Sequence, residues 1–463
     1  MYTIGIDLAV TGKHKAVIVD HERHAVGGVV RFKTSAHEMS RLLTRAGVPV
    51  AEIQVTMEPT GMAWYPVAVY LMRCGVTVYL VNTRQVADLR RYFKRHSKSD
   101  RIDARVLAAV PYLNPDKLHP LTLPGARHLA CQRACREVNN LQTWMTAIKN
   151  RLHVIDRFAW PGLEHVFPDP FGGDARWMRD HWYDPFQVLA AGAQAIRSQW
   201  QETASAPHEE PEWIDSLLHL AKDVVAIYGL PDDSLSYSLL QAEVQRYQCW
   251  LDEFEQVERE IKLETLRPLY RQLHPTRNLE TIYGVGQDSA ATYTSFIGPM
   301  QRFGSAKAFR GWSGMVPQSR QSSDTDTKGL HITRAGPNLI KRAAYMNAEV
   351  ARRWDPQLAA IYHDQIVNKG KHHRQAVCTC ATHLLDWVRV ILTQDRPYQL
   401  QDVDGIPVTP EQARQIIAEH YTVSAADRQR TNKGTRRRRA ERRAERKQLK
   451  QQRRESHVSC IRG

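Results

Sequence analysis

Tyr2-Thr3-Ile4-Gly5-Ile6-Asp7-Leu8-Ala9-Val10 reads as a β-strand, and the carboxylate inside it sets the question for the rest of the chain. Apolar and β-branched residues dominate the run, and a turn-like Thr11-Gly12 closes it. Burying an ionised carboxylate in such a strand costs several kcal/mol unless something pairs with it. A metal ion is such a partner, and an ion needs further ligands from elsewhere in the sequence.

Working outward, residues 15–20 and 26–32 read as two more strands, with Gly27-Gly28 marking a turn. Residues 35–46 carry Met39, Leu42 and Leu43 at helical spacing, and strand 53–57, helix 64–74 and strand 76–81 follow. The order β-β-β-α-β-α-β-α is that of a ribonuclease-H-like domain, assigned to residues 1–112. Glu58 directly follows the apolar strand and precedes Pro59-Thr60-Gly61, which places it at a strand end where the chain turns. Asp100 and Asp103, in Lys98-Ser99-Asp100-Arg101-Ile102-Asp103-Ala104-Arg105, are three apart at a helix start and project from one face. Asp7, Glu58, Asp100 and Asp103 are hard oxygen donors that suit Mg2+ or Mn2+ and are the wrong set for Zn2+. Two such ions, about 3.5–4 Å apart, can activate an attacking oxygen and stabilise the leaving one in phosphodiester cleavage. The bland alternative for Asp100 is a capping box with Ser97.

Beyond this domain, residues 127–158 repeat apolar side chains every three or four positions (Leu129, Val138, Leu141, Met145, Ile148, Leu152, Ile155), and residues 238–273 do so again. Two long helices of this kind form an antiparallel coiled-coil arm over 127–273. The stretch 160–233 between them, rich in Trp, Pro and Asp, shows no clear period and reads as an inserted subdomain or a cap. Glycine-punctuated helices then define a mainly helical domain over 275–392, followed by a polar connector from 393 and a basic tail to 463. The fold class is α/β plus α.

The motifs now assembled resemble the insertion-sequence one-ten family of transposases, related to the Piv site-specific invertases. Gly5-Ile6-Asp7, Met57-Glu58-Pro59-Thr60-Gly61 and Lys98 to Ala104 look like that family's Asp-Glu-Asp-Asp motif. Ile282-Tyr283-Gly284-Val285-Gly286, Phe303-Gly304-Ser305, Gly311-Trp312-Ser313-Gly314-Met315-Val316-Pro317, Ser322-Ser323 and Ile332-Thr333-Arg334-Ala335-Gly336 look like its C-terminal half. The resemblance implies a RuvC-like domain, a coiled coil, and a transposase domain carrying a nucleophilic serine. It also implies a non-coding bridge RNA that pairs with target and donor DNA, and a homodimer that assembles into a tetramer. By position Ser323 matches the family serine, with Ser322 the alternative, because Asp324 stands where the family usually has glycine. A serine hydroxyl that attacks a phosphodiester stores the bond energy as a phosphoserine link, which a DNA hydroxyl later resolves.

Charge agrees with a polyanionic partner. The chain carries a net +15, and residues 427–463 hold 15 Lys/Arg against 4 Asp/Glu. Arg302, Arg310, Arg320, Lys328, Arg334 and Lys341 surround the C-terminal motifs and suit a surface that tracks a phosphate backbone. Gly284 and Gly286 enter a helix whose backbone amides can hold a phosphate. Seven scattered cysteines do not look like a disulfide framework, and no signal or membrane span is evident, so a bacterial cytoplasmic, nucleoid-associated location is expected. His372, His373, Cys378, Cys380 and His383 invite a zinc reading, but the apolar residues among them fit an amphipathic helix better; Cys131 and Cys135 read as core. Two rival functions remain: a structure-selective endonuclease using water as nucleophile, and a nucleic-acid-binding protein with a vestigial site.

Overall fold

The computed structural model describes residues 1–82, 86, 88–89, 100–113, 118–204, 211–229, 235–318, 321–322, 325–326, 330–333, 335–434 and 437, with backbone alone for 100–102, 321–322 and 325–326. It divides into two units, Met1–Pro124 and Gly125–Gly463.

In the first unit, β1 (Tyr2–Asp7) pairs antiparallel with β2 (His14–Val19), which pairs antiparallel with β3 (Val30–Phe32). On its other side β1 runs parallel to β4 (Ile53–Met57), itself parallel to β5 (Thr77–Leu80), giving the order β3-β2-β1-β4-β5. Helices α1 (Ala36–Thr44) and α2 (Trp64–Arg73) connect β3 to β4 and β4 to β5, and α3 (Asp100–Leu113) follows. The element order is the one read from sequence. Side-chain alternation gives the sheet two faces. Ile4, Ile6, Ala16, Ile18, Val55 and Met57 form one core with Met39, Leu42, Val67 and Leu71, while Val17 and Val19 meet Ala104 and Ala108 of α3 on the other face.

The first strand stops at Asp7, three residues earlier than its sequence suggests. Its last register partner is Lys15, and beyond it the Ala9 amide bonds to the His14 ring rather than to a neighbouring strand. Asp7 is therefore a half-buried strand-end residue, not a mid-strand one.

In the second unit, α4 (Ala126–Ala159) spans 34 residues. The stretch that follows it, read from sequence as aperiodic, folds as α5 (Gly173–His181), α6 (Pro185–Thr203) and α7 (Trp213–Tyr228). Of these, α5 is short and α6 is broken by a kink at Gly192. The partner of α4 is α8 (Tyr237–Glu260), and contacts from Gln142 to Glu258, Arg151 to Glu243 and Tyr237 to the Ala159 carbonyl show that the two run antiparallel. The intervening helices share a core with this pair, built on Trp160, Tyr183, Trp200 and Trp213. Inside it Arg179 and Asp156 make a buried ion pair at 2.6 Å, to which the Tyr183 hydroxyl also donates. Burial thus accounts for these tryptophans.

A π-helical turn, Ile261–Leu266, leads from α8 into α9 (Arg267–Leu273). The remaining helices, α10 (Gln287–Ile297), α11 (Ala306–Ser313), α12 (Asn338–Ala351), α13 (Pro356–His363) and α14 (His373–Gln394), surround a second core. Cys131, Ala134, Cys135 and Val138 of α4 belong to that core, so the long helix spans both. Among the described residues α14 alone is long and apolar enough to cross a membrane, and its Val377, Cys380, Leu384 and Val388 are core residues. The polar connector contains α15 (Pro410–His420), started by a capping box between Thr409 and Gln412.

Candidate active site

Three polar residues of β1 and its parallel neighbour mark where α3 lies. Thr3 Oγ1 bonds the Tyr112 hydroxyl at 3.0 Å, Gln54 Nε2 donates to Thr3 Oγ1 at 2.8 Å, and Thr56 Oγ1 donates to the Leu107 carbonyl at 2.6 Å. Between them Gly5 sits so close to α3 that an added Cβ would run into the Ala104 carbonyl oxygen and the Ala108 amide nitrogen. Thr3 meets Tyr112 while Gly5 meets Ala104 and Ala108, so α3 runs antiparallel to β1 across this face.

That placement fixes where the carboxylates fall. With a period of two, Thr3, Gly5 and Asp7 share the α3 face, as do Gln54, Thr56 and Glu58. Ile6 pairs with Met57, so Asp7 and Glu58 follow at adjoining ends of parallel strands, the end where open α/β sheets place ligands. Asp103 lies one helical turn before Leu107, and Glu58 two strand residues beyond Thr56, both about 6 Å further in the same direction. Asp100 stands one turn before Ala104 in the same sense, and its side chain lies outside the described residues. Asp103 is 6% exposed, whereas Asp7 and Glu58 are half-buried.

The backbone thus brings Asp7, Glu58 and the start of α3 to one sheet end. Among the described residues no three His, Cys, Asp or Glu side chains are gathered as a closed metal site. The donor set nevertheless fits a hard divalent cation, being all carboxylate oxygen at the mouth of parallel strands. Residues that sequence reading passed over support this end. Gly5 admits the helix, Thr56 anchors it, and Lys15 is the cross-strand partner of Asp7 on the same face. Polar Thr3, Gln54 and Thr56 within otherwise apolar strands were the available signal.

The C-terminal motifs form the root of a hairpin. Gln318 N donates to the His331 carbonyl at 2.9 Å and Thr333 N to the Val316 carbonyl at 2.9 Å, with Pro317 bridged to Ile332. Further out, β6 (Gln321–Ser322) pairs with β7 (Thr325–Asp326), Ser322 opposite Thr325. Ser323, Arg320, Lys328 and Arg334 lie outside the described residues. At the root two glycines interlock: a Cβ on Gly314 (φ +73°) would strike the Ala335 carbonyl, and one on Gly336 (φ +68°) the Trp312 carbonyl. Lys341 Nζ donates to the Ala335 carbonyl at 2.8 Å, and Arg310 Nε to Asp386 at 2.8 Å, so both cations have structural partners. Arg302 lies over the Phe303 and Trp312 rings.

The turn at Gly284, between a 3-10 turn (Asn278–Thr281) and α10, has a packing role. A Cβ there would lie 2.7 Å from the Asn347 carbonyl oxygen. Buried Asn347 donates to the Gly284 carbonyl and to Ser289 Oγ, and accepts from the Tyr293 hydroxyl at 2.7 Å. Gly286 is the N-cap of α10, whose first turn carries its own carboxylate, Asp288, bonded to Arg267 Nε at 2.9 Å. The zinc reading finds no cluster among the described residues: His372 caps α14, His373 bonds the Tyr362 hydroxyl, and Cys380 is buried. Cys131 and Cys135 are core residues, as read.

One buried carboxyl in this unit makes a testable statement. Asp355, 1% exposed, caps α13 through Leu358 N at 3.1 Å and accepts from the Tyr398 hydroxyl at 2.6 Å. Burial raises its pKa to about 6. A raised carboxyl stabilises the fold fully below its unfolded value, and that contribution is lost as pH rises through the folded one. The thermal midpoint of the wild type relative to Asp355→Asn should therefore fall between about pH 4 and about pH 7. A pH-independent difference would contradict this.

Comparison with known proteins gives four likenesses. A family model described as "Transposase" matches residues 4–158, and one described as "Transposase IS116/IS110/IS902 family" matches residues 276–363. The "Insertion element IS110 uncharacterized 43.6 kDa protein" of Streptomyces coelicolor is 23% identical over 330 residues, covering 70% of this chain and 76% of its own length. A solved structure of T. thermophilus RuvC in complex with Holliday junction substrate is matched at 20% identity with a TM-score of 0.21, over 26% of this chain and 99% of that one.

Proposed function

Because the chain belongs to the IS116/IS110/IS902 family of transposases, we propose that it cleaves and rejoins DNA strands with two chemical centres, a carboxylate site for divalent ions and a serine nucleophile. The observation that carries this reading is the meeting of Asp7, Glu58 and the start of α3 at one sheet end, inside the residues that the first family model spans. Asp7, Glu58, Asp100 and Asp103 would hold the ions. Mg2+ or Mn2+ bound there would supply Lewis-acid stabilisation of charge developing on phosphodiester oxygens.

The protein's own residues supply the rest. Gly5 and Thr56 set the depth and register of α3, and with them the position of Asp103. The serine pair on the hairpin, Ser323 with Ser322 as the alternative, provides the attacking hydroxyl. Its Oγ forms a bond to phosphorus as a deoxyribose oxygen departs and takes up a proton. A DNA hydroxyl later reverses the exchange and releases the serine, so no external energy source is consumed. The interlocked glycines pack Gly314 against Ala335 and Gly336 against Trp312 at the hairpin root.

Site choice is assigned to a bridge RNA that pairs with target and donor DNA, in line with the family resemblance and with a tail of 15 Lys/Arg against 4 Asp/Glu over residues 427–463. Strand exchange needs several centres at once, which calls for a homodimer assembling into a tetramer on DNA, one subunit's carboxylates working with another's serine. Ser323→Ala decides the nucleophile: the wild type should yield a denaturant-resistant protein-DNA adduct, and the variant none. If Ser323→Ala still cuts DNA and the wild type gives no adduct, water is the nucleophile and the chain is an endonuclease. RNA recovered with the purified protein as one discrete species would support guidance, and its absence would leave an unguided enzyme.

A further inference from the structure

Asp7 ends β1, and the chain beyond it must turn back to enter β2 at His14. The Ala9 amide in that turn donates to His14 Nδ1 at 3.1 Å. The other ring nitrogen, Nε2, lies 2.7 Å from Thr34 Oγ1. Since Nδ1 accepts, the proton of the neutral ring sits on Nε2 and is donated to Thr34. His14 is 3% exposed and meets the Phe32 ring edge-on, with centroids 5.1 Å apart. Burial holds its pKa below the ordinary histidine value, which keeps Nδ1 free of a proton.

Alternation along β2 sets His14 with Ala16 and Ile18 on the sheet face away from α3, whereas Lys15 shares the face of Asp7. The ring therefore influences the carboxylate end only through the backbone. We propose that His14 is a positioning residue: by gripping the Ala9 amide and tying it to Thr34, it holds the end of β1 so that Asp7 meets a divalent ion in one backbone conformation. This rests on the carboxylate site proposed above. It assigns to an inner-core histidine the job that outer partners of metal ligands perform, where loss costs about 10–100-fold in affinity.

The test compares three full-length chains by calorimetric titration with Mn2+, with circular dichroism to check folding. His14→Phe fills the volume without either bond, and His14→Asn restores an oxygen near the place of Nδ1. The expected result is Mn2+ affinity about tenfold weaker in His14→Phe and within about threefold of wild type in His14→Asn. A folded His14→Phe that binds Mn2+ as the wild type does overturns the inference. So does a His14→Asn as weak as His14→Phe, which would assign the loss to packing. If His14→Phe does not fold, Thr34→Val decides: weakening of about threefold or more supports the inference, and less overturns it. Absence of Mn2+ uptake by the wild type is a different failure, that of the carboxylate site, and removes this inference with it.

Discussion

Asp103→Asn is expected to lower DNA cleavage by about a thousandfold or more while the chain stays folded. Asn keeps the size and shape of the side chain, so the buried position is refilled without a cavity. What it loses is the negative charge and one strong oxygen donor. If the ions contribute several kcal/mol of stabilisation to the transition state, a weakened site forfeits about 4 kcal/mol, which is about three powers of ten in rate. Cleavage of a DNA substrate under single-turnover conditions, beside circular dichroism of both chains, measures it. Undiminished cleavage would mean that these carboxylates do not act in it; no cleavage by either chain, with function undiminished in the variant, would support the vestigial, binding-only reading.

Gly5→Ala should do comparable damage by a different route. No rotamer relieves the clash, because the obstructing atoms are the Ala104 carbonyl oxygen and Ala108 amide nitrogen, with Ala108 Cα 3.0 Å away. Helix α3 must lift from the sheet, stretching the Thr56 to Leu107 bond and opening the contact of Val17 and Val19 with Ala104 and Ala108. Overpacking of this kind costs about 3 kcal/mol. Since α3 carries Asp100 and Asp103, cleavage should be lost along with stability. Gly12→Ala is the control, because its Cβ would meet only the Ala9 Cβ at 3.7 Å. Equal midpoints for the two variants in thermal unfolding would refute the close-approach argument.

The sequence carried the first unit well because its strands are short, apolar and separated by glycine turns, and because Asp7 and Glu58 interrupt an otherwise oily pattern. What it hid was spatial. Nothing in the string says that Thr56 faces Leu107, or that Gly5 is a contact point and not a turn. The end of β1 was misjudged because Leu8, Ala9 and Val10 look like strand, whereas the Ala9 amide bonds the ring of His14 five residues on. Of the helices between 173 and 228, α5 has only nine residues and α6 is broken at Gly192, while the regular spacing of Trp213, Leu217, Ala221 and Val224 in α7 is lost when the whole stretch is read together. Gly284 and Gly336 were visible as motif residues, but their tight packing against Asn347 and Trp312 needs the third dimension.

Titration of Mn2+ into the metal-free chain, beside Asp103→Asn, asks most directly whether acidic residues from β1, β4 and α3 make a single ion-binding centre. The wild type should take up about two ions per chain, saturably, and the variant should bind them at least about tenfold more weakly. Equal uptake by the two chains, or none by either, would contradict it.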